Sequence, residues 1–422
     1  MLIRFSFENF RSFKTRQELT LVASSLRDQA DSLIGLGDSE HSLLPAAGIY
    51  GANASGKTNV IRALLFLSSA VENSQRRWEP EAPIPRWPFL LDAESQRAPS
   101  FFEVEFALAQ ARYRYGFVLD SERVLEEWLY AYPSGKQQTW FTRAEIPERR
   151  FTFSRNLSGE NRVIEALTRK NSLYLSAAAQ NNHEMLSPVY NYLAKDTRFE
   201  LGREGTPEAT LAMCEDEKHK DMLLKFLVQA DLGIIGLRLE RVEPDEPFKK
   251  FVSALKEMVP QADLSGAERV TRAFFRHRSK AGSTVELDMH DESAGTIAYF
   301  SLLGPAVEAI ESGGVLCVDE LDSSLHPLLA LDLLRLFNDR ERNPRGAQLI
   351  FNTHDTNLLS ASVLRRDQIW FTEKDSEGAT HLYPLSDFKP RKNENLERGY
   401  LQGRYGAIPF LEPELVRSVE EK

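Results

Sequence analysis

Apolar and polar positions change period several times along the chain. Leu2, Phe5, Phe7 and Phe10 alternate loosely with polar residues and predict a strand over 2–10. QELTLVA at 17–23 predicts a second strand, and LLPAAGIYG at 43–51 a short apolar strand running into Gly51. From Gly56 the period becomes helical, with Val60, Leu64, Leu65, Leu67 and Val71 on one face. Residues 76–100 are rich in Pro, Arg and Trp and predict a loop. Strand patterns then follow at 101–108, 111–119, 124–132, 138–144 and 149–154, separated by short turns, as in an antiparallel meander.

Residues 161–232 read as mostly helical, with a break around Gly202–Pro207. Strands are expected at 233–242, 269–277 and 284–290, and a helix at 248–259. The last part alternates cleanly: helix 296–312, buried strand 314–320, helix 326–339, strand 347–355, then strands at 367–375 and 380–385. That alternation predicts an α/β fold, a parallel sheet with helices on its faces. No apolar heptad is sustained, so no long coiled-coil arm is expected. Three regions follow: 1–160, a mainly helical insertion at 161–267, and 268–422.

Composition narrows the class. The 422 residues are 42% hydrophobic and 27% charged, which suits a globular chain. The formal charge is -10, which excludes a wholly basic nucleic-acid coat but not a local basic face. Basic stretches occur at Arg76–Arg77, Arg149–Arg150 and Arg272–Lys280, the last interleaved with aromatics. A solvated strand face is the plainer reading of that last stretch. Two cysteines, Cys214 and Cys317, make neither a disulfide framework nor a four-cysteine zinc site. The polar N-terminus and the lack of a long apolar run predict a cytoplasmic protein with no membrane partner.

The chemistry concentrates in three places. Gly51, Ala52, Asn53, Ala54, Ser55, Gly56, Lys57 and Thr58 spell G-x-x-x-x-G-K-[ST] between an apolar strand and an amphipathic helix. Backbone N–H groups of such a loop converge on phosphates, and Gly51 and Gly56 permit the tight path. Lys57 would reach the β- and γ-phosphates of ATP, Thr58 would ligate Mg²⁺, and Asn59 opens the helix. GVLCVDE places Asp319 and Glu320 at a strand end, near the loop if the two strands are neighbours. Asp319 would then join the Mg²⁺ shell and Glu320 would act as general base. Asp322 follows in a turn, and AQLIFNTHD offers His354 at a strand end, where it could bond the γ-phosphate.

Together these residues resemble the ABC-type ATPases, in the soluble branch that includes SMC-like proteins. In that likeness GANASGKT is Walker A, GVLCVDE is Walker B, LDSSLHP is the D-loop and Thr353–His354 holds the switch histidine. ESAGT at 292–296 occupies the slot of the signature motif, matching at Ser293 and Gly295 and departing at Ala294 and Thr296. The resemblance implies an ABC-type P-loop head with a mixed sheet, an antiparallel β subdomain and an inserted helical subdomain. It also implies a homodimer with two shared ATP sites, or a higher oligomer. The family's Mg²⁺-sensing glutamine is assigned to Gln180 in LYLSAAAQNNH.

LIRFSFENFRSF, DELDSSLHPLL, QLIFNTHDTNLL, RDQIWFTEKD and YLQGRYGAIP are similar to the stand-alone bacterial ATPases of the RloA/AbiLi type, related to the ATPase half of OLD proteins. That likeness implies a role in phage defence beside a separately encoded effector, a toxin or nuclease, with DNA or a phage component as trigger. OLD proteins carry a C-terminal nuclease. Residues 355–422 here spell only two strands and a tail, so the expected role is sensor and scaffold. A DNA-repair ATPase of the SMC-like class is the competing expectation.

Overall fold

The computed structural model describes residues 1–36, 41–109, 111–144, 150–202, 207–242, 246–258, 270–280, 282–392 and 394–409. Arg149, Val259, Arg269, positions 203–206 of the expected break and the 267/268 region boundary lie outside them. The chain divides into two compact units. The first comprises Met1–Leu201, Glu308–Asp322 and Ala330–Lys422, and the second Gly202–Val307 and Ser323–Leu329.

Two sheets build the first unit. One is antiparallel, with neighbours in the order Phe151–Phe153, Gln138–Arg143, Val124–Tyr132, Ala111–Leu119, Ser100–Leu108, Leu2–Glu8 and Gln17–Thr20. The other runs Thr197–Glu200, Val315–Val318, Gln348–Asn352, Ala46–Gly51, Ile369–Lys374 and Thr380–Pro384. Its first five strands are parallel and the last is antiparallel. Ala46–Gly51, Val315–Val318 and Gln348–Asn352 are buried at every residue, as expected of parallel strands covered on both faces. Gly48 is needed for this packing, because a Cβ there would meet the Phe351 ring at 2.8 Å.

The Lys57–Asn73 helix buries Val60, Ile61, Leu64, Phe66, Leu67 and Val71 in one apolar cluster with residues of both sheets. Phe66 packs on Phe102 of the antiparallel sheet at 4.8 Å and on Phe10 at 5.8 Å between ring centroids. The helix therefore stays registered against the core while its N-terminus abuts the parallel sheet's edge.

Two short elements depart from the sequence reading. Thr197–Glu200 is a strand inside the stretch read as helical, held by parallel pairing with Val315–Val318. Ala93–Arg97 is a short helix in the expected loop, capped by Asp92, whose carboxylate accepts from the Ser95 N–H.

The second unit contains an antiparallel sheet of Ile234–Val242, Val270–Arg278 and Thr284–Asp288. The Ala294–Ser312 helix begins in this unit, and Phe300 on it meets Phe275 edge-on at 5.4 Å. Pro305 inside this helix has no N–H to offer the Ser301 carbonyl. The buried Thr210 hydroxyl takes over, donating to Ser301 O at 3.1 Å and accepting from Gly304 N at 3.1 Å. Among the described residues, no helix is long and apolar enough to cross a membrane.

Candidate functional site

The loop after the Ala46–Gly51 strand is shaped by contacts that leave no room for side chains at its glycines. Gly56 has φ +109°, and a Cβ there would meet Thr380 Oγ1 at 2.6 Å and Ser12 Oγ at 2.9 Å. A Cβ on Gly51 would lie 2.5 Å from the Thr372 carbonyl. Around them Ser55 Oγ bonds Thr372 Oγ1 at 2.7 Å, and Thr380 Oγ1 donates to Ser55 O at 2.8 Å. Asn59 Nδ2 donates to Ser12 Oγ at 2.9 Å. Asn53 and Ala54 form the exposed tip, and Ala52 is half-buried.

Lys57 is buried, and its ammonium donates to the carbonyls of Gly51 (2.9 Å) and Ala52 (3.1 Å). Burial lowers its pKa to about 8, against the pull of Asp322, Glu320 and Asp319, which favour the charged form.

The loop strand and the acidic strand are not neighbours in the sheet. Gln348–Asn352 lies between them. Asp319 still reaches the loop, because Thr58 Oγ1 donates to Asp319 Oδ1 at 2.8 Å. Asn352 of the intervening strand donates to the same carboxylate and accepts from Glu320 N at 2.7 Å. Glu320 leaves the strand end with φ +54°, a left-handed backbone that non-glycine residues rarely adopt.

Asp322 is tied to the next strand end. Its Oδ1 accepts from Thr353 Oγ1 at 2.8 Å and from His354 N at 3.1 Å. The exposed His354 imidazole is held below its ordinary pKa, first by partial desolvation and then by the Lys57 charge. A neutral ring offers one N–H donor and one acceptor nitrogen. The carboxyl ends of three parallel strands thus gather Lys57, Thr58, Asp319, Glu320, Asp322 and His354 at one sheet edge, where open α/β sheets bind ligands.

This donor set fits a nucleotide polyphosphate with Mg²⁺. Gly51 and Gly56 line a cradle that a Cβ would fill, and the loop opens into a helix N-terminus. Thr58 Oγ1 and Asp319 Oδ1 are hard oxygen donors of the kind Mg²⁺ takes alongside phosphate oxygens.

Gln180 is not brought to this site. It ends the Tyr174–Gln180 helix and is exposed, beside Tyr190, whose hydroxyl reaches Glu72 O. Glu72 lies at the far end of the Lys57–Asn73 helix, on the order of 20 Å from the loop at 1.5 Å per residue. Ser293 and Gly295 belong to the second unit. Exposed Ser293 caps the Ala294–Ser312 helix through a bond from Thr296 N to its hydroxyl at 3.1 Å. Gly295 sits close to the Ser324 carbonyl, 2.9 Å from where its Cβ would be.

In the basic stretch 272–280, Arg272 pairs with Asp288, and Arg276 pairs with Glu286 at 2.9 Å. Phe274 lies beneath Arg238 and Arg272, so this face is a laced solvent surface.

Ser12, Asn352, Thr372 and Thr380 support the site and went unread in the sequence. Each is an ordinary polar residue in a strand or turn, and its role arises only from tertiary pairing.

Two solved structures are similar to the chain at low identity. The crystal structure of an Smc head bound to the C-terminal winged-helix domain of ScpA shares 12% identity, covering 90% of this chain and 96% of that one, with a TM-score of 0.40. The cbiO1 component of the Clostridium perfringens cbiONQ ABC transporter shares 10% identity over 96% and 98%, with a TM-score of 0.29. No curated protein matches the chain. Residues 46–360 match one family, so the chain belongs to the AAA-domain family described as putative AbiEii toxin, type IV toxin–antitoxin system.

Proposed function

We propose that this protein is an ATP-hydrolysing, dimerising ABC-type ATPase of the RloA/AbiLi kind, a sensor and scaffold controlling a separately encoded effector in phage defence. The observation that carries the enzymatic part is the Thr58–Asp319 bond, which sets the phosphate loop beside Glu320. Loop N–H groups and Lys57 hold the β- and γ-phosphates. Thr58 and Asp319 supply oxygens to Mg²⁺, which when bound neutralises charge on the phosphate oxygens. Glu320 accepts the proton of the attacking water. Asp322 holds the Thr353–His354 turn, so that the imidazole N–H can reach the γ-phosphate. Ser293 and Gly295 of a second copy close over the nucleotide. The family description and the resemblance of the N-terminal and C-terminal motifs support the defence role. The carboxylate partners of Arg272 and Arg276 weigh against direct DNA binding by that strand.

The test is the solution mass of Glu320→Gln protein by light scattering, with and without Mg²⁺-ATP. Blocked hydrolysis should trap the ATP-bound dimer, so the mass should double with ATP. A monomer under both conditions contradicts the shared-site reading.

A further inference from the structure

We propose that Asn352 is a positioning residue for this hydrolysis, a side-chain amide that holds the two carboxylates of the neighbouring strand in their working arrangement. The inference rests on the reading of Glu320 as general base. Asn352 is the last residue of the strand between the loop strand and the acidic strand, and it is fully buried. Its Nδ2 donates to Asp319 Oδ1, its Oδ1 accepts from Glu320 N at 2.7 Å, and its backbone carbonyl accepts from Leu321 N at 3.0 Å. Three consecutive residues therefore hang on one.

The amide can take only one orientation. A carboxylate accepts and a backbone N–H donates, so a flipped amide would satisfy neither partner. Asp319 Oδ1 takes a second donor from Thr58, which makes Asn352 the bridge from the acidic strand to the loop helix. On its other side Asn352 supplies the acceptor for a backbone N–H in left-handed geometry, Glu320 at φ +54°. Without that acceptor the turn can relax toward extended backbone and carry the Glu320 carboxylate with it. Misplacement by about 1 Å can cost about 10²-fold in rate. Other side chains fail individually. Aspartate would set a third carboxylate against Asp319, serine is too short to span both partners, and leucine fills the volume but bonds neither.

The experiment uses Asn352→Leu, Glu320→Gln and the double variant in the full chain. Asn352→Leu should lower kcat by about 10²-fold with KM within about threefold, the signature of lost transition-state positioning. Affinity for a fluorescent ATP analogue in EDTA should stay within about twofold. Without nucleotide, hydrogen exchange in the peptide spanning Glu320 should quicken by about tenfold or more, because that amide loses its acceptor. In the Glu320→Gln background the same substitution should cost at least about threefold less than in the wild type, since the part that acts through Glu320 is already lost and only the hold on Asp319 remains. Equal fold-losses in both backgrounds, or an unchanged kcat, overturn the proposal. If Asn352→Leu does not fold, Asn352→Asp keeps the shape while losing the donor to Asp319, and wild-type kcat in that variant also overturns it. Should Glu320→Gln hydrolyse ATP as fast as wild type, the general-base reading fails, and the exchange result alone decides whether Asn352 holds the turn.

Discussion

Substituting Gly56 by alanine tests whether the loop's shape is fixed by its surroundings. Gly56 adopts φ +109° and ψ 9°, and an added Cβ would lie 2.6 Å and 2.8 Å from Thr380 Oγ1 and Cγ2. Left-handed backbone costs a non-glycine residue about 1–2 kcal/mol. Overpacking costs about 1–3 kcal/mol more. Thr380 cannot swing aside cheaply, because its hydroxyl bonds Ser12 Oγ and Ser55 O and its N–H bonds Ser12 O. The strain is relieved most readily by displacing the loop, which removes its N–H groups from the phosphate positions. About 3 kcal/mol lost from binding is about a hundredfold in Kd. Titration with a fluorescent ATP analogue should show that loss, while Glu320→Gln should bind like wild type. Adding Thr380→Ala to Gly56→Ala removes the two closest contacts and leaves the Ser12 contact and the backbone part, so roughly tenfold should return. Binding by Gly56→Ala within about threefold of wild type would refute the reasoning, as would no recovery in the double variant.

Three further outcomes follow from particular contacts. Thr210→Val should cost about 1–3 kcal/mol, because it removes the hydroxyl that stands in for the missing residue-305 N–H at the Ser301 carbonyl. The loss, read by urea unfolding, should shrink in a Pro305→Ala background, where residue 305 regains an N–H. Asp28→Ala should cost about 3 kcal/mol by stranding buried Arg366, which bonds Asp28 at 2.6 Å. The Arg366 hydrogen bond holds Asp28 below its ordinary pKa, so its contribution is complete above the ordinary carboxylate range and fades as pH falls through the lowered value. Wild-type stability should therefore approach that of Asp28→Ala in acid. In cells, Lys57→Ala should abolish protection against phage, and unchanged plaque counts would contradict the defence role.

The sequence made the phosphate loop legible because backbone geometry forces glycine, lysine and a hydroxyl into fixed spacing around phosphate. The acidic strand end was legible for a similar reason, since buried strands rarely end in paired carboxylates. Its distance from the loop was not. Strand order is a long-range property, and the sequence leaves open whether the two strands are neighbours; one strand separates them. Asn352 bridges that gap, yet within QLIFN it reads as a polar strand terminus. Thr197–Glu200 escaped detection because four residues carry too little period, and its strand form is imposed by pairing with Val315–Val318. Gln180 follows the strands of the first lobe in chain order, and order does not fix distance. Its helix packs at the far end of Lys57–Asn73, where Gln75 N bonds Ser176 Oγ.

Steady-state phosphate release is the most direct test of the central claim, measured with Mg²⁺-ATP for wild type and Glu320→Gln alongside nucleotide affinity. The account predicts turnover in the wild type and a loss of at least about 10²-fold in the variant, with affinity preserved. Equal turnover in the two proteins, or none in the wild type at saturating Mg²⁺-ATP, would contradict it.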